Sequence, residues 1–172
     1  MRWPCPALVL LSGLPGAGKT TFAAALLAAS PAVHLESDAI RRRFVPTPRY
    51  TRAEHAAVFG RLETLAGEAL AGGHLVVVDA TNLTPHDRRR FFQLAQRHAV
   101  PVVAARLTAP LETLRARLSQ PREGWSQAGP DVLQLMQRRP RPFTVPVVVV
   151  DSRYDIAPSV HLVLRLVSGF AP

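Results

Sequence analysis

Residues 13–21 read Gly-Leu-Pro-Gly-Ala-Gly-Lys-Thr-Thr, which satisfies the pattern G-x-x-x-x-G-K-[ST] of a phosphate-binding loop, or P-loop. Glycines in such a loop let successive backbone N–H groups turn inward around an anion without a clash from Cβ. The apolar run Ala7–Leu11 precedes the loop, and an Ala- and Leu-rich stretch begins at Lys19. The loop therefore lies between a buried strand and a helix N-terminus, where the helix dipole also favours a phosphate.

The residues of the P-loop (13–21) have distinct predicted roles. We expect Lys19 to reach the β and γ phosphates of ATP and the Thr20 hydroxyl to ligate Mg²⁺. Lys19 is the one lysine among the 21 basic residues of the chain, and every other basic residue is arginine. The predicted nucleotide-binding residues are Gly13, Gly16, Ala17, Gly18, Lys19, Thr20 and Thr21.

Composition bounds the class of protein. A chain of 172 residues that is 48% apolar has material for one hydrophobic core, so we expect a single domain over 1–172. Cys5 is the single cysteine and cannot form an intramolecular disulfide, which favours a cytoplasmic protein. Ala7–Leu11 is too short to span a membrane. The net charge of +9 indicates either an Arg-rich background or a polyanionic partner, and the oligomeric state is left open.

Apolar runs alternate with helical stretches, which predicts an α/β fold with a mainly parallel five-stranded sheet between helices. Thr84, Pro85 and Asp87 together form the signature of a capped helix start. The predicted strands are Ala7–Leu11, Val33–Glu36, Leu75–Val78, Val102–Leu107 and Val147–Val150. The predicted helices are Lys19–Ala29, a turn at Asp38–Phe44, Ala53–Ala71, 85–98, Leu111–Leu118, Asp131–Arg138 and Ser159–Val167. Gln120–Pro130 is predicted to be a mobile loop within a small lid at roughly 110–140.

Two carboxylates follow predicted strands, at the sheet edge where open parallel sheets place their sites. Asp38 is the candidate general base that would orient and deprotonate an attacking hydroxyl, with a helix N-cap as the alternative. Asp79 would serve Mg²⁺ through water or hold Arg41 in place, with a strand-end turn as the alternative. Arg41 lies one helical turn after Asp38 and projects on the same side, where it would neutralise phosphate.

The class of nucleotide chemistry follows from what the chain lacks. GTPases recognise guanine with an Asn-Lys-x-Asp element, and no lysine remains after Lys19 to supply one. A small P-loop domain with an Arg-rich segment favours phosphoryl transfer to an acceptor, where catalysis consists of positioning and charge neutralisation.

The order GLPGAGKTT, ESDAIR, VVVDATNLTPHDRRR, followed by an Arg-rich segment around Leu114–Arg122, resembles the kinase module of 5′-hydroxyl polynucleotide kinases. It is also similar to small bacterial P-loop kinases of the AAA and zeta-toxin-like kind. The resemblance covers roughly residues 7–139. It implies that Asp38 is the general base and Arg41 the arginine that engages phosphate, with Asp79 supporting Arg41. It also implies a lid arginine at the transferred phosphoryl group, Arg122 or, as the alternative, Arg117.

We therefore predict an ATP- and Mg²⁺-dependent kinase, with the 5′-hydroxyl end of a nucleic acid as the leading acceptor. The chain after Arg139 departs from the polynucleotide kinases, and it has no Asp-x-Asp-x-Thr phosphatase signature. Two alternatives stay open. One is a kinase of the same fold for a small molecule, such as an antibiotic, a sugar acid or a nucleoside-like acceptor. The other is a non-catalytic ATP-binding module.

Overall fold

The computed structural model describes residues 6–45, 47–120 and 128–169, and its elements follow the predicted alternation. The strands are β1 (Ala7–Ser12), β2 (Val33–Glu36), β3 (Leu75–Asp79), β4 (Val102–Thr108) and β5 (Val148–Asp151). The helices are α1 (Lys19–Ala29), α2 (Ser37–Phe44), α3 (Arg52–Ala71), α4 (Pro85–Arg97), α5 (Leu111–Leu118), α6 (Pro130–Met136) and α7 (Ala157–Ser168).

The five strands form one sheet in the order β2-β3-β1-β4-β5, and every neighbouring pair is parallel. This confirms the predicted α/β fold and its parallel sheet. β1 lies in the centre, so the P-loop leaves the sheet between β3 and β4. In register, Leu11 pairs with Asp79 on one side and Ser12 with Arg106 on the other. The carboxyl ends of all strands therefore meet at the edge where the P-loop begins.

Each face of the sheet is covered by helices and has its own apolar core. The first core joins alternate residues of β1, such as Val9 and Leu11, to α1, α5, α6 and α7. The second joins Leu8 and Leu10 to α2, α3 and α4. Because β1 is buried on both faces, its sequence is a continuous apolar run rather than an alternating one, which is typical of a central parallel strand.

The predicted start of α4 is confirmed in detail. The Thr84 hydroxyl accepts a hydrogen bond from the Asp87 backbone N–H at 3.2 Å, and the Asp87 carboxylate accepts one from the Thr84 N–H at 3.2 Å. This reciprocal pair is the capping box, with Pro85 at the first helical position. Asp87 thus has a structural role at the helix start.

Some boundaries differ from the sequence prediction by one or two residues. α6 begins at Pro130 rather than Asp131, because proline is well suited to the first turn of a helix. It ends at Met136, two residues before the predicted end, and β5 spans Val148–Asp151 rather than Val147–Val150. The predicted mobile loop Gln120–Pro130 lies mostly outside the described residues, which omit 121–127. Within the described ranges, no helix combines the length and apolarity needed to cross a bilayer.

Candidate active site

A cleft of about 560 Å³ opens at the carboxyl edge of the sheet. One wall is the P-loop and the start of α1. The opposite wall is the end of β2 together with α2 and the beginning of α3. Most of the predicted site residues line this one cleft: Gly16, Gly18, Lys19, Thr20, Thr21, Asp38, Arg41 and Asp79. Gly13 and Ala17 instead line a separate, smaller pocket.

The glycines of the P-loop lie where a side chain would clash with neighbouring backbone. Gly13 has φ 154°, and a Cβ there would lie 2.6 Å from the Leu107 carbonyl oxygen. Gly16 has φ 79°, and a Cβ there would lie 3.2 Å from the Leu114 carbonyl oxygen. α1 begins without a side-chain cap and without an acidic residue in its first turn. Its first backbone N–H groups are therefore available to phosphate oxygens, so the loop fits a nucleotide.

The polar side chains of the cleft also fit a magnesium nucleotide. The Lys19 ammonium donates a hydrogen bond to the Leu14 carbonyl oxygen at 3.2 Å, so the side chain lies against the P-loop. On binding a nucleotide, the ammonium would turn toward the phosphates. Thr20 is exposed at the start of α1, and Asp79 is only 2% exposed at the end of β3. The described residues contain no cluster of three metal-ligating side chains. A bound Mg²⁺ would consequently depend on Thr20, on Asp79 through water and on the phosphates themselves.

Asp38 and Arg41 lie on the wall opposite the P-loop. Asp38 is the second residue of α2, and Glu36 occupies the N-cap position without any side-chain cap. Asp38 therefore does not cap the helix, and its carboxylate lines the cleft. Its Oδ1 lies 3.9 Å from Nε of Arg41, one turn further along α2.

Arg41 is buried, and two of its guanidinium nitrogens have no hydrogen-bond partner among the described residues. Its side chain is 5% exposed, and its Nη1 is 3.7 Å from Oε2 of Glu54. Neither its Nε nor its Nη1 has a hydrogen-bond partner among the described residues. Its guanidinium carbon lies 4.8 Å from the centre of the Tyr50 ring. A buried donor without a partner costs about 1–3 kcal/mol, and an anion in the cleft would remove that cost.

Asp79 was predicted to support Arg41, but in the structure its carboxylate contacts His34 instead. Its Oδ2 lies 3.2 Å from Nε2 of His34, and the ion pairs of Arg41 are with Asp38 and Glu54. His34 pairs with Val77 in the β2–β3 register, so His34 and Asp79 are diagonal neighbours on one face of the sheet. α2 lies beyond the end of β2, and there the carboxylate near Arg41 is Glu54 of α3 rather than Asp79.

The carboxyls at the strand ends influence each other's protonation. The hydrogen bond to Asp79 raises the pKa of His34 above its usual value. Burial, with the charge of Asp79 acting in the same direction, raises the pKa of Glu36 to about 7. Glu36 and Asp79 are register partners on β2 and β3, so two carboxyls share one corner of the cleft. Protonation of Glu36 near neutral pH lowers the negative charge that an incoming phosphate would meet.

Arg117 of α5 reaches the P-loop from the lid side. Its Nη1 donates to the Gly16 carbonyl at 3.1 Å and to the Ser152 hydroxyl at 2.8 Å. Its Nη2 donates to the Ser152 carbonyl at 2.9 Å. The Arg117 side chain thus links the P-loop to the loop that follows β5. Arg122 lies outside the described residues, so its predicted role stays a prediction.

Tyr50 lines the cleft, and the contacts that hold it there were not predicted from the sequence. Thr51 caps α3, and the Glu54 carboxylate accepts from the backbone N–H groups of Arg49 and Tyr50 at 2.8–3.1 Å. These bonds hold Tyr50 at φ 54°, a left-handed conformation that is uncommon for a bulky residue. The spacing Thr51-x-x-Glu54 is a capping-box signal that could have identified this helix start.

His55 is the second missed residue. Its Nε2 lies 2.8 Å from Oδ1 of Asp87, and its ring is stacked on Phe59 at 4.1 Å between ring centres. Asp87 uses its other oxygen for the capping box of α4, so one carboxylate positions both a helix start and a ring. His55, Phe59 and Tyr50 all line the cleft. No spacing in the sequence links His55 to Asp87, because the two lie on different helices.

Comparisons with known proteins agree with this architecture. Residues 8–143 match the family described as "AAA domain". No curated protein matches the chain significantly. The solved structures described next are each less than 25% identical to this chain, so their likeness shows the fold alone.

Three of these structures cover nearly the whole chain. The APS kinase CysC of Mycobacterium tuberculosis, in complex with AMPPNP and APS, has a TM-score of 0.70 at 19% identity, covering 95% of this chain and 98% of its own. A gluconokinase from Sinorhizobium meliloti 1021 has a TM-score of 0.70 at 21% identity, covering 99% and 95%. Kti12 of Chaetomium thermophilum, in complex with ADP-AlF3, has a TM-score of 0.74 at 19% identity, covering 96% and 99%. The fold is that of the small P-loop kinases.

Proposed function

The chain belongs to the AAA-domain family that it matches over residues 8–143, and on that premise we propose that it is an ATP- and Mg²⁺-dependent kinase with a hydroxyl acceptor. One observation carries the proposal. Asp38 and the buried, incompletely paired Arg41 lie on one turn of α2, in the same cleft as the P-loop. A carboxylate and an anion-binding arginine facing a phosphate site are the groups that phosphoryl transfer to an alcohol requires.

The residues of the cleft divide the work of the reaction. Magnesium-bound ATP supplies the phosphoryl group and the metal charge when it is bound. Lys19 and the N–H groups at the start of α1 hold the phosphates by charge and by hydrogen bonds. Asp38 accepts the proton of the acceptor hydroxyl on its carboxylate. Arg41 holds an anionic group of the acceptor and thereby orients the hydroxyl toward the P-loop.

The acceptor that we propose first is the 5′-hydroxyl end of a polynucleotide. Exposed arginines follow Arg41 closely in the chain, on α2, in the segment that leads to α3 and at the first residue of α3. They are Arg42, Arg43, Arg49 and Arg52. The rings of Tyr50 and His55 on the same wall offer flat surfaces on which a base could stack. Arg41 would then bind the phosphate that follows the terminal nucleoside.

A small-molecule acceptor is the second candidate, because a cleft of about 560 Å³ also suits a compact anionic alcohol. Two of the structures with this fold are a gluconokinase and an APS kinase. Labelled ATP with 5′-hydroxyl DNA and RNA oligonucleotides, run beside a panel of small hydroxyl compounds, tests the two together. ATP binding without turnover on any acceptor would instead favour a non-catalytic module.

We expect Arg41→Gln to raise the KM for the acceptor by about 10- to 100-fold, the value of a charge-assisted hydrogen bond. The KM for ATP should change little, because Arg41 lies on the wall opposite the P-loop, and thermal melting measures what its ion pairs with Asp38 and Glu54 contribute to stability. Steady-state kinetics with each substrate varied in turn measures the two KM values separately. Arg61→Gln, which removes an exposed arginine from the middle of α3, is the matched control. An unchanged acceptor KM would remove Arg41 from the acceptor site.

If the acceptor is a nucleic acid end, its affinity should fall steeply with salt. Each neutralised phosphate of a single strand contributes a log–log slope of about −0.7 through counterion release. Arg49→Gln and Arg52→Gln should each make the slope less steep, whereas Arg61→Gln, an exposed change further along α3, should leave it as it is. Fluorescence anisotropy with a labelled oligonucleotide gives the slopes. Weak binding that any polyanion displaces, without phosphorylation of the 5′ end, would place the small-molecule kinase first.

A further inference from the structure

A second pocket, of about 120 Å³, lies against a different part of the P-loop. Its walls are the end of β1 with Gly13 and Leu14, the end of β4, and the segment 140–143. Among the described residues, it shares no lining side chain with the main cleft. The P-loop therefore separates two pockets, one on each side.

The second pocket is lined by positive charge without negative charge. Arg88, Arg106 and Arg141 line it, and no aspartate or glutamate is among its described lining residues. None of these three arginines forms an ion pair within the described ranges. Three arginines that line one small pocket without a carboxylate leave a positive potential there, which an anion would compensate.

Arg88 builds the wall of this pocket. Its side chain is 3% exposed and donates to the carbonyl oxygens of Asn82, Leu83, Arg141 and Pro142 at 2.6–3.3 Å. Its guanidinium is also stacked 4.1 Å from the centre of the Phe143 ring. These partners are neutral, so they satisfy the donors of Arg88 without forming an ion pair with it. Burial lowers the pKa of Arg88, and the charge of Arg106 acts in the same direction while that of Asp87 opposes it.

Arg106 and Arg141 are the residues with capacity for a ligand. Arg106 follows Ala105 on β4 next to Ser12 of β1, and its guanidinium has no hydrogen-bond partner elsewhere in the described ranges. Arg141 is exposed, and its Nη1 donates to the backbone oxygens of Arg138 and Pro140. The pocket has less than a quarter of the volume of the main cleft, which suits one phosphate group rather than a whole nucleotide.

We propose that this pocket is a second anion site that binds one inorganic phosphate between Arg106 and Arg141. The phosphate would compensate the charge of three arginines through charge-assisted hydrogen bonds. It would also lie against Leu14, whose carbonyl oxygen accepts the hydrogen bond of Lys19. The occupied pocket thereby fixes the P-loop from behind. The proposal is independent of which acceptor the main cleft takes.

Calorimetric titration of inorganic phosphate tests the site, provided that the P-loop itself is blocked. The Arg41→Gln protein, which lacks the proposed anion-binding arginine of the main cleft, is first saturated with Mg²⁺ and a non-hydrolysable ATP analogue, at constant ionic strength. We expect one further phosphate per chain. Arg106→Gln and Arg141→Gln should each weaken this binding by about 10-fold or more. Arg61→Gln removes an equal charge from the exposed surface of α3 and should leave the binding unchanged.

Two results would overturn the proposal. One is the absence of phosphate binding once the analogue fills the P-loop, which would assign all phosphate binding to the main cleft. The other is binding that both arginine variants retain at full strength. Arg106 is partly buried, so its variant is compared with the wild type by thermal melting without phosphate. The exposed Arg141 supplies the same test without disturbing the sheet.

Discussion

Replacing Lys19 with alanine is expected to lower kcat by a factor on the order of 10² to 10³ while leaving the fold intact. Lys19 lines the cleft and belongs to neither apolar core, so its removal takes charge from the phosphate site and little packing from the fold. Charge stabilisation of this kind acts mainly on the transition state, where negative charge on the transferred group is redistributed. Single-turnover kinetics with labelled ATP, beside thermal melting, measures both parts.

The control for Lys19→Ala is Arg165→Ala, which removes a cation from the last turn of α7. It should leave the rate unchanged. If Lys19→Ala kept nearly wild-type activity, the P-loop would not be the site of phosphoryl transfer, and the proposed function would fail with it.

Asp38→Asn is expected to reduce kcat by a factor on the order of 10² or more, with little change in the affinity for ATP. The substitution keeps the size of the side chain but removes the carboxylate that accepts the proton of the acceptor hydroxyl. Asp38 is not a helix cap, so the stability of α2 should change little. ATP affinity is measured separately by titration with a non-hydrolysable analogue.

A matched control for Asp38 is Asp131→Asn, an exposed aspartate in the first turn of α6. An Asp38→Asn protein that lost ATP affinity but kept a normal kcat would show that Asp38 acts on the metal side of the cleft. The general base would then have to be sought elsewhere on the same wall, for example at Glu36.

The fold could be predicted because its signals are local. Strands buried on both faces, such as Leu75–Asp79, are continuous apolar runs, and the capping box of Thr84 and Asp87 marks a helix start within four residues. The predicted α1 and α5 agree with the structure at both ends. Where boundaries moved, as at Pro130, the helix gained or lost a residue without changing the order of elements.

Contacts within the site could be predicted where both residues belong to one short segment of the chain. The P-loop is contiguous, and Asp38 and Arg41 lie one helical turn apart, so their proximity follows from spacing. The partners of these residues come from distant parts of the chain. Glu54 reaches Arg41 from α3, and His34 meets Asp79 through the strand register, neither of which has a sequence pattern of its own. The expected support of Arg41 by Asp79 was wrong for this reason.

The position of Lys19 has a consequence for chemical labelling. Since the chain has no other lysine, the ε-amine in the nucleotide cleft is the single lysine target for acylating reagents. The remaining cations are arginines, whose guanidinium groups stay protonated and do not react with such reagents at neutral pH. Mass-spectrometric detection of one acylated peptide, distinct from the amino terminus, would therefore report directly on how open the phosphate site is in a mixture of proteins.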